Sequence, residues 1–380
     1  MRSAACLIER LLRDVDPIVA QAVDKALDGR DLTVEEAAEL LEARGLEVEL
    51  MVLAADYLRF KAVGDVVTFV VNRNINFTNE CTVNCAFCAF SKPPGDPEAY
   101  TLSLEEVARR AAEAQRMGAT EVCMQGAINP KLPPTYYFDV LEAVKKAAPS
   151  IHIHAYSPQE IYSLASRLDA PYHEVLKALK DSGLDSMPGT AAEILDDEVR
   201  RVIAPRKIGV KTWVEIIRTA HRLGIPTTAT MMYGHVDEAI HKARHLNVIR
   251  EIQRETRGFT EFVPLPFIHQ RTKLYREGLA RPGSTGFEDL KVYAASRLFL
   301  NNYVRNLQVS WVKLTPKFAQ VALGAGANDF GGTLMEENIS RAAGATSGTH
   351  MAVEEIVRLI RDAGRTPAQR STTYEVLKVY

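Results

Sequence analysis

Residues 72–90 read NRNINFTNECTVNCAFCAF and carry three of the chain's five cysteines, Cys81, Cys85 and Cys88, in the spacing CxxxCxxC. They follow an apolar, β-branched run, Val66 to Val71, with the composition of a buried strand. Three sulfur donors this close together suit an iron–sulfur cluster or zinc, because soft thiolates select those partners. Zinc held by three cysteines normally recruits a histidine, and none occurs between Val71 and His152. No fourth cysteine lies nearby either, since Cys6 and Cys123 stand alone in the sequence. A 4Fe-4S cluster held by these three would keep one iron open for a ligand that is not protein. A structural zinc site, or three buried thiols, are the bland alternatives.

CxxxCxxC is the signature of the radical S-adenosylmethionine (SAM) enzymes, and Phe87, the aromatic before the third cysteine, fits their pattern. Seven segments, NRNINFTN, HAYSPQEI, LDSMPGTAAEIL, TATMMYGHVDE, GFTEFVPLPF, SWVKL and GGTLMEENISRAAG, together resemble the second subunit of FO synthase. They run in order from Asn72 to Gly344. The resemblance implies a radical SAM transferase of deazaflavin (FO) biosynthesis. In that chemistry a 5′-deoxyadenosyl radical takes hydrogen from L-tyrosine and its Cα–Cβ bond breaks. The 4-hydroxybenzyl radical then adds to 5-amino-6-(D-ribitylamino)uracil, giving 5-amino-5-(4-hydroxybenzyl)-6-(D-ribitylimino)-5,6-dihydrouracil. The same resemblance implies one 4Fe-4S cluster, SAM, and a reductant such as ferredoxin or flavodoxin. A second radical SAM subunit must close the deazaflavin, because this chain has one CxxxCxxC motif. The nearest rivals are the futalosine-pathway radical enzymes of menaquinone synthesis; PLPF and GGTLMEE favour FO synthase. A rival of another class is a non-catalytic iron–sulfur protein.

Composition excludes other classes. The 46 basic and 48 acidic residues leave a net charge of -2 with no polybasic run, which argues against nucleic acid as a partner. The first residues, MRSAACLIERLLRDVDP, place Glu9, Arg10 and Arg13 where a signal peptide or membrane anchor needs apolar residues, so a cytoplasmic protein is expected. Five cysteines in 380 residues do not make a disulfide framework.

Residues 1–65 have helical spacing and form an expected N-terminal extension packed on the main domain, with Thr33 and Glu36 placed as a capping box. From Val66 strands and helices alternate, which predicts a parallel α/β sheet. Expected strands are VVTFVVNRNINF, EVCMQG, IHIHAYS, the short LDSMP, TTATMMYG, TEFVPLPF and LQVSWVKL, with a short eighth at 328–331. Helices are expected from Ser103 to Met117, capped by Ser103 with Glu106, and from Asp237 to Thr256. The expected architecture is a (β/α)8 TIM-type barrel over 66–350, followed by a C-terminal helix and tail over 351–380. An incomplete barrel of about six strands is the alternative.

In such a barrel the C-terminal ends of the strands share one mouth, which is where active sites lie. Gln125, Tyr156, Met187, Tyr233, His235, Phe267 and Lys313 all follow expected strands. Carried over by resemblance, the metal ligands are Cys81, Cys85 and Cys88. Phe87, Gln125, Gly126, Ala127, Tyr156, Ser157, Thr190 and Glu193 are the implied cofactor-binding positions. The FO synthase pattern reads QGG with His two residues on, and here Ala127 and Asn129 stand at those places. Glu193, Tyr233 and His235 are the candidate catalytic residues, His235 because a neutral imidazole can move a proton near neutral pH. The bland counterparts are Thr190 as a helix cap, and Glu337 with Arg341 as an exposed i,i+4 pair.

Overall fold

The computed structural model describes residues 2–380. Four helices, Arg2–Leu11, Pro17–Leu27, Val34–Glu42 and Leu46–Val63, precede the first strand. The Thr33–Glu36 capping box is formed in both directions. The helix Leu46–Val63 packs along Gly286–Leu300, burying Leu50, Met51, Ala54, Ala55 and Leu58 against the main domain.

The strands are β1 (Val66–Val70), β2 (Asn72–Ile75), β3 (Glu121–Met124), β4 (His152–Ala155), β5 (Thr227–Tyr233), β6 (Phe259–Pro266), β7 (Asp329–Gly332), β8 (Thr366–Arg370) and β9 (Val376–Val379). β1 and β2 are one extended run interrupted at Val71. Parallel pairing runs from β2 to β3 to β4, then through His154 opposite Ser186 and Met187 opposite Thr227 to β5 and β6. It continues through Phe262 opposite Leu307 and Gln308 opposite Asp329, and closes where Thr68 of β1 pairs with Asp329 of β7. Eight strand positions therefore form a closed parallel barrel, two of them, at Ser186–Met187 and Leu307–Gln308, reduced to single bridges. This is the expected (β/α)8 architecture.

Three local expectations are corrected. LQVSWVKL is not one strand: after Leu307–Gln308 the chain turns into the helix Trp311–Leu314 and the indole Nε1 of Trp311 donates to the Gly332 carbonyl at 2.9 Å. Thr190 caps no helix, because the next one, Asp197–Ile203, is capped by Asp196. Glu337 does not pair with Arg341; both its carboxylate oxygens accept from the Ser340 backbone N–H at 3.0 Å, which holds it inward.

The chain after residue 350 is more than a helix and tail. After the helix Val353–Asp362, β8 adds in parallel to β1 and β9 folds back antiparallel on it. Arg370 at the end of β8 reaches the start of β7, where its guanidinium pairs with Asp329 and, at 3.3 Å, with Glu261. Thr372 donates to Glu121 at the start of β3 at 2.8 Å. These carboxylates sit at the N-terminal ends of barrel strands, so the hairpin seals the end opposite the mouth with a buried, paired polar layer.

Candidate active site

The loop after β2 is tied down on several sides. Cys81 N–H donates to Lys92 O at 2.8 Å, Thr82 N–H to Ile128 O at 3.1 Å, and Ala86 N–H to Ile203 O at 3.0 Å. Leu274 N–H donates to Ala86 O at 2.8 Å, so the short helix Lys273–Arg276 braces the same turn. Asn84 takes φ 54°, a left-handed conformation that asparagine tolerates better than most residues.

Cys81, Cys85 and Cys88 open into one cavity of about 340 Å³ at the barrel mouth. Burial, more than any neighbour, pushes the Cys85 thiol up to about 12, so it keeps its proton near neutral pH unless a bound metal displaces it. Among the described residues no histidine lines the cavity, which removes the usual fourth ligand of a three-cysteine zinc site. The donor set fits a cluster with one open iron. Cys123 is less isolated than its sequence position suggests, since it lines the same cavity from β3, with Gln125 Nε2 at 3.8 Å from its sulfur.

Of the expected cofactor-binding residues, Phe87, Gln125, Gly126, Ala127, Ser157, Thr190 and Glu193 line this cavity together with the cysteines. Gly126 N–H donates to Glu160 at 2.9 Å, and the other Glu160 oxygen accepts from Ser157 N–H and Oγ, both at 2.7 Å. Only glycine fits at 126, because a Cβ there would lie 2.3 Å from the Phe77 ring. Burial raises Glu160 to about 7 against the pull of those donors. Ala127 has no positive φ and donates to Thr78 O at 2.9 Å, so it replaces a glycine without strain. Asn129 is buried and structural: its amide donates to Thr78 and Thr101 and its carbonyl oxygen accepts from Lys131 N–H.

Glu193, at φ 44°, is paired with Lys207, whose ammonium lies 5.2 Å from the Phe87 ring centroid. Burial opposes ionisation of Glu193, but the charge and hydrogen bond of Lys207, with the charges of Arg200 and His235, more than offset it and hold the carboxyl below the usual range. Thr190 Oγ1 and Asn76 Oδ1 are buried beside the cavity with no protein partner among the described residues, as groups awaiting a polar ligand would be.

Tyr156, Tyr233 and His235 do not reach the cavity. Tyr156 donates to Tyr137 O at 2.6 Å, and Tyr233 donates to Asp289 at 2.7 Å in the surrounding helix layer. Both His235 nitrogens are engaged, Nε2 with Met232 O at 2.9 Å and Nδ1 with Val236 N–H at 2.7 Å. The expectation that the last two rings face the mouth is thus corrected: Met232 lines the cavity, so its strand neighbour Tyr233 points the other way. Residues that sequence reading left out are Glu160 and Lys207. Glu160 carried a signal, the capping-box spacing of Ser157-Pro-Gln-Glu160, which the structure forms. Lys207 carried none, since it meets Glu193 only through the fold.

A larger groove of about 820 Å³ lies alongside, lined by Arg110, Arg271, Arg276 and Arg341, but it holds neither the cysteines nor the Gln125–Ala127 turn.

Residues 75–246 match the Radical SAM superfamily model, and residues 256–380 match the CofH/MqnC C-terminal region. The 5-amino-6-(D-ribitylamino)uracil–L-tyrosine 4-hydroxyphenyl transferase of Methanothermobacter thermautotrophicus is 51% identical over 356 residues, 94% of this chain and 97% of that protein. The chain belongs to this transferase family of the radical SAM superfamily. The Methanocaldococcus jannaschii transferase is 53% identical over 352 residues, 92% of this chain and 98% of the relative. FO synthase of Mycobacterium leprae is 50% identical over 371 residues, which are 98% of this chain and 43% of that longer protein. Among solved structures, methylornithine synthase (PylB) superposes with a TM-score of 0.72 at 18% identity, covering 91% of this chain and 97% of that one. HydG of Carboxydothermus hydrogenoformans gives 0.72 at 15% identity, over 98% and 84% of the two chains. At these identities the likeness is one of fold, and it agrees with the closed barrel.

Proposed function

We propose that the cavity transfers the 4-hydroxybenzyl group of L-tyrosine to 5-amino-6-(D-ribitylamino)uracil, the acceptor and donor named for the transferase relatives. The observation that carries this reading is the convergence of Cys81, Cys85 and Cys88 on one histidine-free cavity with the strand-end polar groups, in a chain about half identical to those enzymes. When bound, the cluster and SAM supply a 5′-deoxyadenosyl radical that takes hydrogen from tyrosine. The three cysteines would hold the cluster. The Gln125–Ala127 turn, braced by Glu160, would present backbone groups to SAM, with Ser157, Thr190, Phe87 and the Glu193–Lys207 pair around it. Leu265, Phe267, Ile268 and Ile339 would exclude water from the reacting carbons. On this reading the Cα–Cβ bond of tyrosine would break, leaving 2-iminoacetate while the 4-hydroxybenzyl group passes to the diaminouracil.

A one-electron donor such as ferredoxin or flavodoxin belongs to the same reading, as does a second radical SAM protein that closes the deazaflavin. The match to 43% of the M. leprae FO synthase supports the latter, since more than half of that chain lies outside the match. Cytoplasmic location is part of the proposal too; no described helix is long and apolar enough to cross a membrane. The test is anaerobic turnover of reconstituted protein with SAM and reductant, offered either tyrosine plus the diaminouracil or a futalosine derivative. Adduct formation and SAM consumption are expected with the first pair; SAM consumption driven by the futalosine derivative alone overturns the assignment.

A further inference from the structure

Five charged groups besides the thiols line the cavity, and two of them neutralise each other: Glu193 and Lys207 form an ion pair. A third, Glu160, is occupied by three donors of its own chain. The fourth, Glu337, uses its two oxygens on a single backbone N–H and keeps lone pairs free. Lys313 is different from all of these. It projects from the helix Trp311–Leu314, is half-buried and lines the cavity, and among the described residues its ammonium has no hydrogen bond or ion pair. Glu337 is the charge that acts on it most strongly, yet the two do not close into a pair. They come from neighbouring barrel positions, Lys313 after the Leu307–Gln308 bridge and Glu337 after β7.

An uncompensated ammonium in a site of low polarity is costly, and it persists where a ligand supplies the missing charge. A cation and an anion that line one cavity without pairing complement a ligand that carries both charges on one carbon, an α-amino acid. Leu265, Phe267, Ile268 and Ile339 in the same lining offer an apolar surface suited to an aromatic side chain. We propose that Lys313 and Glu337 form the subsite that holds tyrosine by its α-carboxylate and α-amino group, respectively. This assignment rests on the transferase reading. It also places the amino acid on the β7 side of the cavity, next to the cysteine loop that follows β2.

The test uses the reconstituted holoenzyme and three probes: L-tyrosine, tyramine, which lacks the carboxylate, and 3-(4-hydroxyphenyl)propanoate, which lacks the amine. The wild type should bind tyrosine at least about tenfold more tightly than either analogue, about 1.4 kcal/mol. Lys313→Met should erase the preference over tyramine and Glu337→Gln the preference over the propanoate, each leaving SAM affinity within about threefold of wild type. Lys313→Arg keeps the charge and should restore most of the first preference; iron content and melting temperature certify that each variant is folded. If the preferences survive the substitutions, or SAM affinity falls in step with tyrosine affinity, the two residues serve another ligand and the proposal is overturned. Failure of the wild type to bind tyrosine at all would instead remove the transferase reading beneath it.

Discussion

Glu160 shows how one side chain shapes the cofactor end of the site by bracing its backbone. Its two oxygens accept from Gly126 and Ser157, so a glutamine at 160 would present an amide N–H₂ to one of those donors. Glu160→Gln should cost about 1–3 kcal/mol of local stability through the unsatisfied donor and weaken SAM binding roughly tenfold, read by equilibrium binding to the reconstituted enzyme. Unchanged SAM affinity would show that the Gln125–Ala127 turn does not need this brace. The cysteines separate in the same way. Cys85→Ala should abolish the iron–sulfur absorption and all turnover, while Cys123→Ala, although it alters the same cavity, should retain both. Equal iron loss from the two would make Cys123 a ligand. The cluster loop was legible in sequence because its donors are local, within eight residues. Tyr233 and His235 were not, because their direction depends on strand alternation and on partners, Asp289 and the Met232 carbonyl, that only the fold supplies.

At the level of elements, the strand–helix alternation was readable from Val66 to the last barrel strand, since each long strand carries a buried apolar run such as TTATMMY. The two positions reduced to bridges were read differently: LDSMP as a short strand, which Ser186–Met187 matches, and LQVSWVKL as a long one, which Trp311 ends by turning inward. The β8–β9 hairpin had no such signal. TPAQR carries proline and arginine, residues that disfavour a sheet assignment until Arg370 is seen to meet Asp329 and Glu261. Removing Arg370 alone strands those carboxylates in the interior. Arg370→Met should therefore destabilise the protein by about 3–5 kcal/mol in denaturant unfolding while leaving the cysteine loop intact in the residual folded fraction. A loss below about 1 kcal/mol would mean that water reaches the carboxylates and that the hairpin is not a seal.

For the whole molecule, buried imidazoles set the acid limit. Burial lowers His154 and His221 to about 4 and His245 to about 3, and lowers His152 as well. In the unfolded chain these groups titrate near 6.5, so between about 6.5 and 4 the unfolded state binds more protons and stability falls as pH falls. Glu160, raised to about 7, and Glu261, raised by burial, act in the opposite sense, since there the folded state binds the extra proton. His235 and His269 are lowered too and Asp289 is raised, so six histidines against three carboxylates leave a net loss on acidification, and the melting temperature should be lower at pH 5 than at pH 6.5. A constant or rising value would show that the histidines are hydrated. The same closed barrel that buries them brings the cysteine loop, the strand ends and the β7 side to one mouth, and the central claim is that tyrosine is cut there between Cα and Cβ. The measurement that tests it most directly is the fate of two carbon labels under anaerobic turnover with SAM, reductant and the diaminouracil. Tyrosine labelled at Cβ should deliver its label to the uracil adduct, and tyrosine labelled at Cα should deliver its label to glyoxylate, the hydrolysis product of 2-iminoacetate. Both labels in one product, or neither in the adduct, would contradict the account.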